Sequence, residues 1–536
     1  MTLRPLPIRP LVLSLLLGAS LVPLSGPIAA APAVSSSEAG IAWTRATSEA
    51  DVDAAFAQAR ADHKPLFLYW GAKWCPPCNQ VQATLFNRAD FIARSRAFVP
   101  VYIDGDSPGA QKLGTRFKVR GYPTMVLFKA DGSELTRLPG EVDARQYTQV
   151  LTLGMTAQRS AKRVLADAQG GGAKLGANDW RMLAFYSWDT DEQQLVPKAQ
   201  VPGLLKQLAA ACPEKYGDTS TRLLLKALAA ADGQPPADAA TRRRVLQVLA
   251  SPARAREQMD VLGNQATEIT RALSAAGTPE RRELLARFDT ALQGLVRDAT
   301  LSRADRLTAQ LARVELARID VAKGAPVSLP APLLAEVRDH VARDDREISN
   351  GYERQAVITT GAYVLTRAGL VDASDTLLKA NLAKSHSPYY LMSALASNAK
   401  ARGDAAEALR WYEQAYTRSE GPATRLQWGA SYLGALVELA PQDAARIEQA
   451  AQQVFADAAT QPDAFYERSG RSLQRVGQQL SAWARGGLGG ATAQAVMERL
   501  QGRLDTLCRA LPAGDGQRAT CDKLLAPPAD TNKVAA

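Results

Sequence analysis

Residues 65–80, PLFLYWGAKWCPPCNQ, constrain the fold more than any other stretch, because they combine a buried-strand pattern, a helix start and two closely spaced thiols. The apolar and aromatic run 66–70 predicts an interior strand. A glycine and an alanine then permit a turn, and the following residues open a helix with Cys75 at its N-terminus. Unpaired N–H groups and the helix dipole favour a thiolate at that place. We therefore predict that Cys75 is the attacking thiol and that Cys78, one turn further on, is the resolving thiol.

The two-residue spacing allows both thiols to form a disulfide within one helical turn. Pro76 suits that turn, because the N–H group it lacks has no helical partner there. Half of a zinc site and a purely structural disulfide are the alternatives, and zinc would need a second pair of ligands. The other cysteines and the histidines are remote in sequence: Cys212, Cys508, Cys521, His63, His340 and His386. We expect a redox-active disulfide that uses no metal and no other cofactor.

A second motif, Gly121-Tyr122-Pro123-Thr124, follows the cysteines by about 45 residues. It precedes a strand at Met125–Lys129, an Asp131-Gly132 turn and Gly140. Together with Trp74-Cys75-Pro76-Pro77-Cys78, this pattern resembles the thioredoxin family over roughly residues 40–157. Within that superfamily the sequence is similar to periplasmic thioredoxin-like domains such as the C-terminal domain of the disulfide-reductase transporter. The residues that suggest this similarity are Lys64-Pro65, Leu85-Phe86-Asn87 and Phe98 to Asp104.

The resemblance implies an α/β fold in which Pro123 is cis and lies beside the cysteine pair. It also implies a substrate groove lined by Trp74, Tyr122 and Pro123, and protein disulfides as substrates. Two features depart from the family pattern. The strand 66–70 has no acidic residue, so a water or another group must accept the proton of the resolving thiol, and Tyr122 is bulkier than the side chain usual before the cis proline.

The N-terminal residues 1–33 have the three parts of a secretory signal peptide: basic residues, an apolar run and a small-residue end. We therefore predict a periplasmic protein. An uncleaved membrane anchor is the alternative, but the apolar run is short for a bilayer, and no later stretch is apolar enough to cross one. In an oxidising compartment a dithiol stays reduced only if a partner supplies electrons, so we expect a membrane electron donor.

A chain of 536 residues exceeds a single core, so several domains are expected. We predict a thioredoxin-like domain at 34–157, a glycine-containing linker at 158–178, an all-helical domain at 179–525 and a disordered tail at 526–536. The second half is rich in Ala, Leu, Arg and Gln with apolar residues at helical spacing. Its glycine-rich border predicts that few contacts cross it and that each half could fold alone.

A spacing of 34 residues separates Gly369 from Gly403 and Pro388 from Pro422. This is the tetratricopeptide period, and it predicts helical hairpins stacked as a solenoid. Such a region could bind partners on a concave face or act as a scaffold. Coincidental spacing in an Ala-rich helical bundle is the alternative.

The net charge of +10 is spread over 64 basic and 54 acidic residues, which does not indicate nucleic-acid binding. The acidic loop 104–109 is predicted to be a solvated turn, because it lacks the later bidentate carboxylate of a calcium loop. Cys508 and Cys521, 13 positions apart, are predicted to form a structural disulfide. Cys212 lies in an apolar helix and is expected to be a buried thiol, with a regulatory role as the alternative.

Two functions follow from these features. The first is an exported thiol:disulfide oxidoreductase that reduces protein disulfides, with the helical domain binding the client. The second is a partner-binding adaptor whose thioredoxin domain is structural or senses redox state.

Overall fold

The computed structural model describes residues 40–140, 142–188, 191, 195–231, 236–322, 325, 328–486 and 490–525. The predicted signal peptide and the predicted C-terminal tail lie outside the described residues.

A five-stranded mixed sheet forms the first half, in the order β1-β3-β2-β4-β5. The strands β1, β3 and β2 are parallel, whereas β4 pairs antiparallel with both β2 and β5. Their bounds are β1 Thr44–Arg45, β2 Leu66–Gly71, β3 Val99–Asp104, β4 Thr124–Phe128 and β5 Glu134–Leu138. Every residue of β2 is buried, which confirms the predicted interior strand.

Helices cover both faces of this sheet: α1 Glu49–Ala61, α2 Pro76–Val81, α3 Ala89–Ser95, α4 Ala110–Phe117 and α5 Ala144–Thr156, with a π-helical turn at Gln82–Phe86 after α2. Side chains of β2 alternate between the two faces, as the period of a strand requires. Leu68 and Trp70 pack in a core with Phe56 of α1. Phe67 and Tyr69 pack in the opposite core. The predicted thioredoxin-like α/β fold is confirmed.

The second half is helical throughout its described part, as predicted. Its helices are α6 Ala161–Gln169, α7 Ala177–Ala184, α8 Val201–Ala211, α9 Gly217–Ala229, α10 Ala239–Leu249, α11 Pro252–Glu257, α12 Met259–Asn264, α13 Ala266–Leu273, α14 Pro279–Arg297, α15 Arg303–Ala317, α16 Ala331–Glu347, α17 Gly351–Arg367, α18 Val371–Asn381, α19 Pro388–Ala401, α20 Ala405–Arg418, α21 Pro422–Leu439, α22 Ala444–Ala459, α23 Glu467–Arg485, α24 Gly490–Ala510 and α25 Gln517–Asp522. Short 3-10 turns occupy Lys198–Gln200 and Glu214–Tyr216.

The two glycines of the 34-residue spacing occupy equivalent turns. Gly369 lies between α17 and α18 with φ +81°, and Gly403 lies between α19 and α20 with φ +80°. Glycine adopts this left-handed conformation without the steric cost that a Cβ atom would bring, and it commonly ends helices in this way. The tetratricopeptide assignment itself stays a prediction.

The expectation that few contacts join the two halves is wrong. Helix α17 packs against α2, and α23 packs against α4. The predicted linker contains α6, whose Val164 and Leu165 are buried in the same core as Phe67 of β2. Gly171 and Gly172, at φ +105° and +65°, permit a tight turn after α6, after which α7 packs against both α5 and α6. The domain limits stay a prediction.

Candidate functional site

The two central cysteines lie where β2 has ended and α2 begins. Cys75 is the N-cap residue of α2, and Pro76 occupies the first helical position. The structure joins Cys75 and Cys78 as a disulfide, with a Cα–Cα distance of 5.2 Å. The backbone N–H of Cys78 donates a hydrogen bond to the sulfur of Cys75, with an N–S distance of 3.2 Å. When the pair is reduced, this donor and the helix dipole favour the thiolate form of Cys75.

Asn79 fixes the loop that carries the cysteines, and the sequence analysis did not identify it. Its side-chain amide donates to the carbonyl oxygens of Lys73 and Cys75, both at 2.8 Å. Asn79 is 2% exposed, so these bonds lie away from solvent. The only sequence signal was a polar amide directly after the second cysteine.

Of the predicted groove residues, Trp74 and Tyr122 pack in the core that contains Cys75 and Cys78, and Pro123 follows Tyr122 in the chain. The Tyr122–Pro123 peptide bond is cis, as the family resemblance implies. The rings of Trp74 and Tyr122 meet edge to face with their centroids 5.7 Å apart. Gln111 donates from its side-chain amide to the Tyr122 hydroxyl at 3.4 Å.

Residues of the helical half lie directly over this groove. Tyr390 of α19 stacks on Trp74, with ring centroids 5.9 Å apart and an interplanar angle of 15°. The guanidinium of Arg468, on α23, lies 4.3 Å from the Trp74 ring centroid and 5.4 Å from that of Tyr122. Consequently Trp74 is only 8% exposed and Cys75 only 2%. The sequence carried no local sign of this burial.

Asp106 connects the groove to the helical half through several hydrogen bonds. Its carboxylate accepts from the indole N–H of Trp74 at 2.8 Å, from the backbone N–H of Thr424 at 2.8 Å and from the Thr424 hydroxyl at 2.6 Å. It also lies 3.7 Å from the guanidinium of Arg468. The loop 104–109 is therefore more than the solvated turn that the sequence predicts, because the helical half covers it. We call Tyr390, Thr424 and Arg468 the helical cover.

Further contacts attach the helical half around the same site. The backbone N–H of Gln111 donates to Asp463 at 2.8 Å, and that of Arg468 donates to the Gln111 side chain at 2.9 Å. On the other side of α2, Gln80 donates to the Asp305 carboxylate at 2.7 Å. Burial raises the pKa of Asp305 to about 6. The thioredoxin-like half is thus bonded to the helical half both at α4 and at α2.

A pocket of about 260 Å³ opens beside Cys78. It is lined by Trp43, Arg45, Tyr69, Ala72, Lys73, Cys78, Asn79, Gln82, Tyr102, Asp104 and Tyr352. Asp104, at the end of β3, is the only carboxyl group among these lining residues. Burial is the main cause that raises its pKa above the usual value. Although β2 has no acid, the neighbouring strand β3 thus brings a carboxyl group to the pocket that Cys78 lines.

The remaining cysteines lie away from this site. Cys508 and Cys521 form a disulfide between α24 and α25, with a Cα–Cα distance of 5.6 Å. Cys212 is a buried free thiol, and burial raises its pKa to about 11. In the part of the chain that the structure describes, no cluster of three or more His, Cys, Asp or Glu side chains could bind a metal ion. No helix there is long and apolar enough to cross a membrane.

Comparison with known proteins gives consistent matches. Residues 52–154 match the thioredoxin-like domain family. The thiol:disulfide interchange protein DsbD of Klebsiella pneumoniae is 34% identical over 145 residues, which cover 26% of this chain and 24% of that protein. The chain therefore spans about a quarter of the length of this relative. The thioredoxin of Acidithiobacillus ferridurans is 32% identical over 88 residues, which cover 16% of this chain and 77% of that protein.

Among solved structures, the DsbH oxidoreductase matches 26% of this chain and 96% of its own, with 22% identity and a TM-score of 0.19. Thioredoxin O1 of Arabidopsis thaliana matches 20% of this chain and 95% of its own, with 20% identity and a TM-score of 0.17.

Proposed function

Because this chain belongs to the thioredoxin family, we propose that it is an exported thiol:disulfide oxidoreductase that reduces protein disulfides through Cys75 and Cys78. One observation carries the proposal. The sulfur of Cys75 caps α2, accepts a hydrogen bond from the backbone N–H of Cys78, and lies within disulfide distance of the sulfur of Cys78. A thiol at this place ionises easily, and its neighbour can resolve a mixed disulfide without movement of the chain.

In the reductive direction, the Cys75 thiolate attacks one sulfur of a substrate disulfide. A mixed disulfide forms, and the other substrate sulfur leaves as a thiolate. Cys78 then loses its proton and attacks the sulfur of Cys75, which releases the second substrate thiol and leaves the Cys75–Cys78 disulfide. Asp104 lies in the pocket beside Cys78 with a raised pKa, so it is suited to accept that proton. Two electrons from a donor, which we place at the membrane, restore the dithiol.

The helical cover requires a further step before a protein substrate can react. Tyr390 and Arg468 occupy the face of Trp74 and Tyr122 that the family uses as its substrate groove. A protein disulfide reaches Cys75 only when these side chains move away. We propose that the client binds to the tetratricopeptide-like helical half, and that this binding displaces the cover. The export signal predicted at residues 1–33 places this chemistry in the periplasm.

A second function is favoured by the burial of both thiols. Cys75 and Cys78 are 2% and 3% exposed under the chain's own helices, as would suit an adaptor whose disulfide reports redox state to a bound partner. In that case the helical half would change its partner affinity between the oxidised and reduced forms, and no substrate would be turned over.

Reduction of insulin by dithiothreitol, followed by turbidity, distinguishes the two functions. The full chain should accelerate the reaction, and Cys75→Ser should remove the acceleration, because a hydroxyl cannot replace the thiolate nucleophile. Cys212→Ser is the matched control, because it removes a buried thiol that lies away from the site. Acceleration retained by Cys75→Ser would contradict the proposal. Absence of acceleration in a chain whose reduced Cys75 is labelled by a bulky maleimide, which shows that the cover opens, would favour the adaptor.

A further inference from the structure

The pocket beside Cys78 lies apart from the groove that the helical cover fills. Of the two redox cysteines, only Cys78 contributes to its lining, whereas Trp74 and Tyr122 contribute nothing. Its wall includes Tyr352 at the start of α17, which is 45% exposed. A pocket therefore reaches Cys78 from the side of Tyr352 while the groove stays covered, and Cys78 itself is 3% exposed.

Size and charge restrict what this opening can admit. A volume of about 260 Å³ lies just below the usual range of small-molecule sites, so it suits a compact ligand rather than a loop of a folded protein. Arg45 and Lys73 bring two cations to the lining, against the single carboxyl of Asp104 there, and Lys73 also pairs with Glu420 at 3.5 Å, so the attraction for an anion rests chiefly on Arg45. The balance favours a small anion.

We propose that this pocket admits a low-molecular-weight thiol bearing a carboxylate, which reduces the Cys75–Cys78 disulfide by attack on the sulfur of Cys78. The inference rests on the proposed function, because it supplies a source of electrons for the same redox pair. It assigns to Cys78 the first contact with the small thiol, and leaves Cys75 for protein substrates.

The exchange balances in two steps. The small thiol gives its proton to Asp104 or to water, and its sulfur bonds to that of Cys78 while Cys75 leaves as a thiolate. A second small thiol, deprotonated in the same way, attacks the small-molecule sulfur of the mixed disulfide. It releases a small-molecule disulfide, and Cys78 leaves as a thiolate that takes a proton back from Asp104 or from water. The two small thiols are oxidised and the protein pair is reduced.

Leaving-group chemistry also favours attack at Cys78. A sulfur with a low thiol pKa leaves faster, and Cys75 has the helix N-terminus and the Cys78 N–H to stabilise its negative charge. Steric access to the two sulfurs also affects which of them is attacked. Here the cover restricts access to Cys75, so access and leaving-group stability favour the same sulfur.

Single-cysteine variants test the assignment through the reverse exchange. Reduced Cys75→Ser and Cys78→Ser are each mixed with dithiodipropionate, and mass spectrometry follows formation of the mixed disulfide. Rates are compared at the plateau of each pH–rate profile, so that ionisation does not bias the result. Cys78 in the Cys75→Ser variant should react at least about tenfold faster than Cys75 in the other, since access limits exchange between fully ionised thiols. The double variant, which retains Cys212, measures the background.

The mouth and charge of the pocket give a second test. Tyr352→Trp should slow the reaction of Cys78, whereas Tyr363→Trp should not, because Tyr363 is 53% exposed on the same helix but does not line the pocket. Arg45→Gln should lower the rate ratio of dithiodipropionate to the cationic cystamine about fivefold, as loss of one nearby charge near water would do. Both disulfides are referenced to their reaction with free dithiothreitol.

The outcomes separate this inference from the proposed function. If Cys75 reacts as fast as Cys78 or faster, or if Tyr352→Trp and Arg45→Gln change nothing, the pocket is not the entrance, although the redox pair stands. If the Cys75–Cys78 pair of the wild type cannot be reduced and reoxidised by any thiol, the proposed function itself is contradicted, and the inference about the pocket falls with it.

Discussion

Replacing Asp106 by Asn should loosen the helical cover from the active-site loop. The carboxylate has two oxygens. One accepts hydrogen bonds from the Trp74 indole N–H and the Thr424 hydroxyl, and the other accepts one from the Thr424 backbone N–H. An amide has a single acceptor oxygen. If it keeps the Thr424 N–H, its NH₂ group takes the place of the oxygen that accepts from the Thr424 hydroxyl, so that this charge-assisted hydrogen bond to the cover is lost together with the attraction to Arg468.

The size of the effect follows from the charge of the acceptor. A hydrogen bond to a charged group contributes about 1.5–3 kcal/mol, so we take about 2 kcal/mol as the loss in the free energy of opening. Since about 1.4 kcal/mol corresponds to a tenfold change in an equilibrium, the open population should rise about 30-fold.

Labelling of reduced Cys75 by a bulky maleimide reports that population, provided that opening and closing are faster than labelling. Asp106→Asn should raise the labelling rate about 30-fold, in line with the calculated opening. Asp53→Asn is the matched control, because its side chain is 65% exposed and pairs with Arg116 on the surface, where ion pairs contribute little. An Asp106→Asn rate within about twofold of wild type, measured on folded protein, would refute the reasoning that led to about 2 kcal/mol.

Two other predictions concern stability. Burial raises the pKa of Asp305 to about 6 from its usual 3.8, so the folded state binds this proton more tightly; the resulting stabilisation is complete below about pH 4 and is lost as the pH rises through about 6. Between those limits, the free energy of unfolding of the wild type, measured with urea, should fall by up to about 3 kcal/mol more than that of Asp305→Asn. Equal pH dependence of the two proteins would contradict the raised pKa of Asp305. Replacing both Cys508 and Cys521 by Ser should lower the free energy of unfolding by about 3 kcal/mol, as expected for a loop of this length. An unchanged urea midpoint would show that the bridge contributes nothing.

The sequence predicted the sheet and the start of α2 because their signals are local. A short run of apolar and aromatic side chains specifies the interior strand β2, and the cysteine spacing with Pro76 specifies a helix start. The same local information brought Trp74, Tyr122 and Pro123 to one groove, through the family pattern that they share.

The cover over that groove could not be predicted, because its partners are distant in sequence and individually unremarkable. Trp74 and Tyr390 are 316 positions apart, and Asp106 and Thr424 are 318 apart. A tyrosine in an apolar helix has the same local pattern whether it faces its own bundle or another domain. The glycines at 170–172 suggested a domain boundary. In the structure they form a turn between the packed helices α6 and α7.

The central claim, that Cys75 and Cys78 form a reversible redox pair, is tested most directly by equilibrium titration of the full chain in dithiothreitol buffers of graded potential. Acid quenching, alkylation and mass spectrometry of the peptides measure each pair separately. The account predicts that the Cys75–Cys78 peptide converts completely and reversibly in one two-electron step, while Cys508–Cys521 remains oxidised through that range. A Cys75–Cys78 bond that stays oxidised until Cys508–Cys521 is also reduced, or that does not re-form, would contradict it.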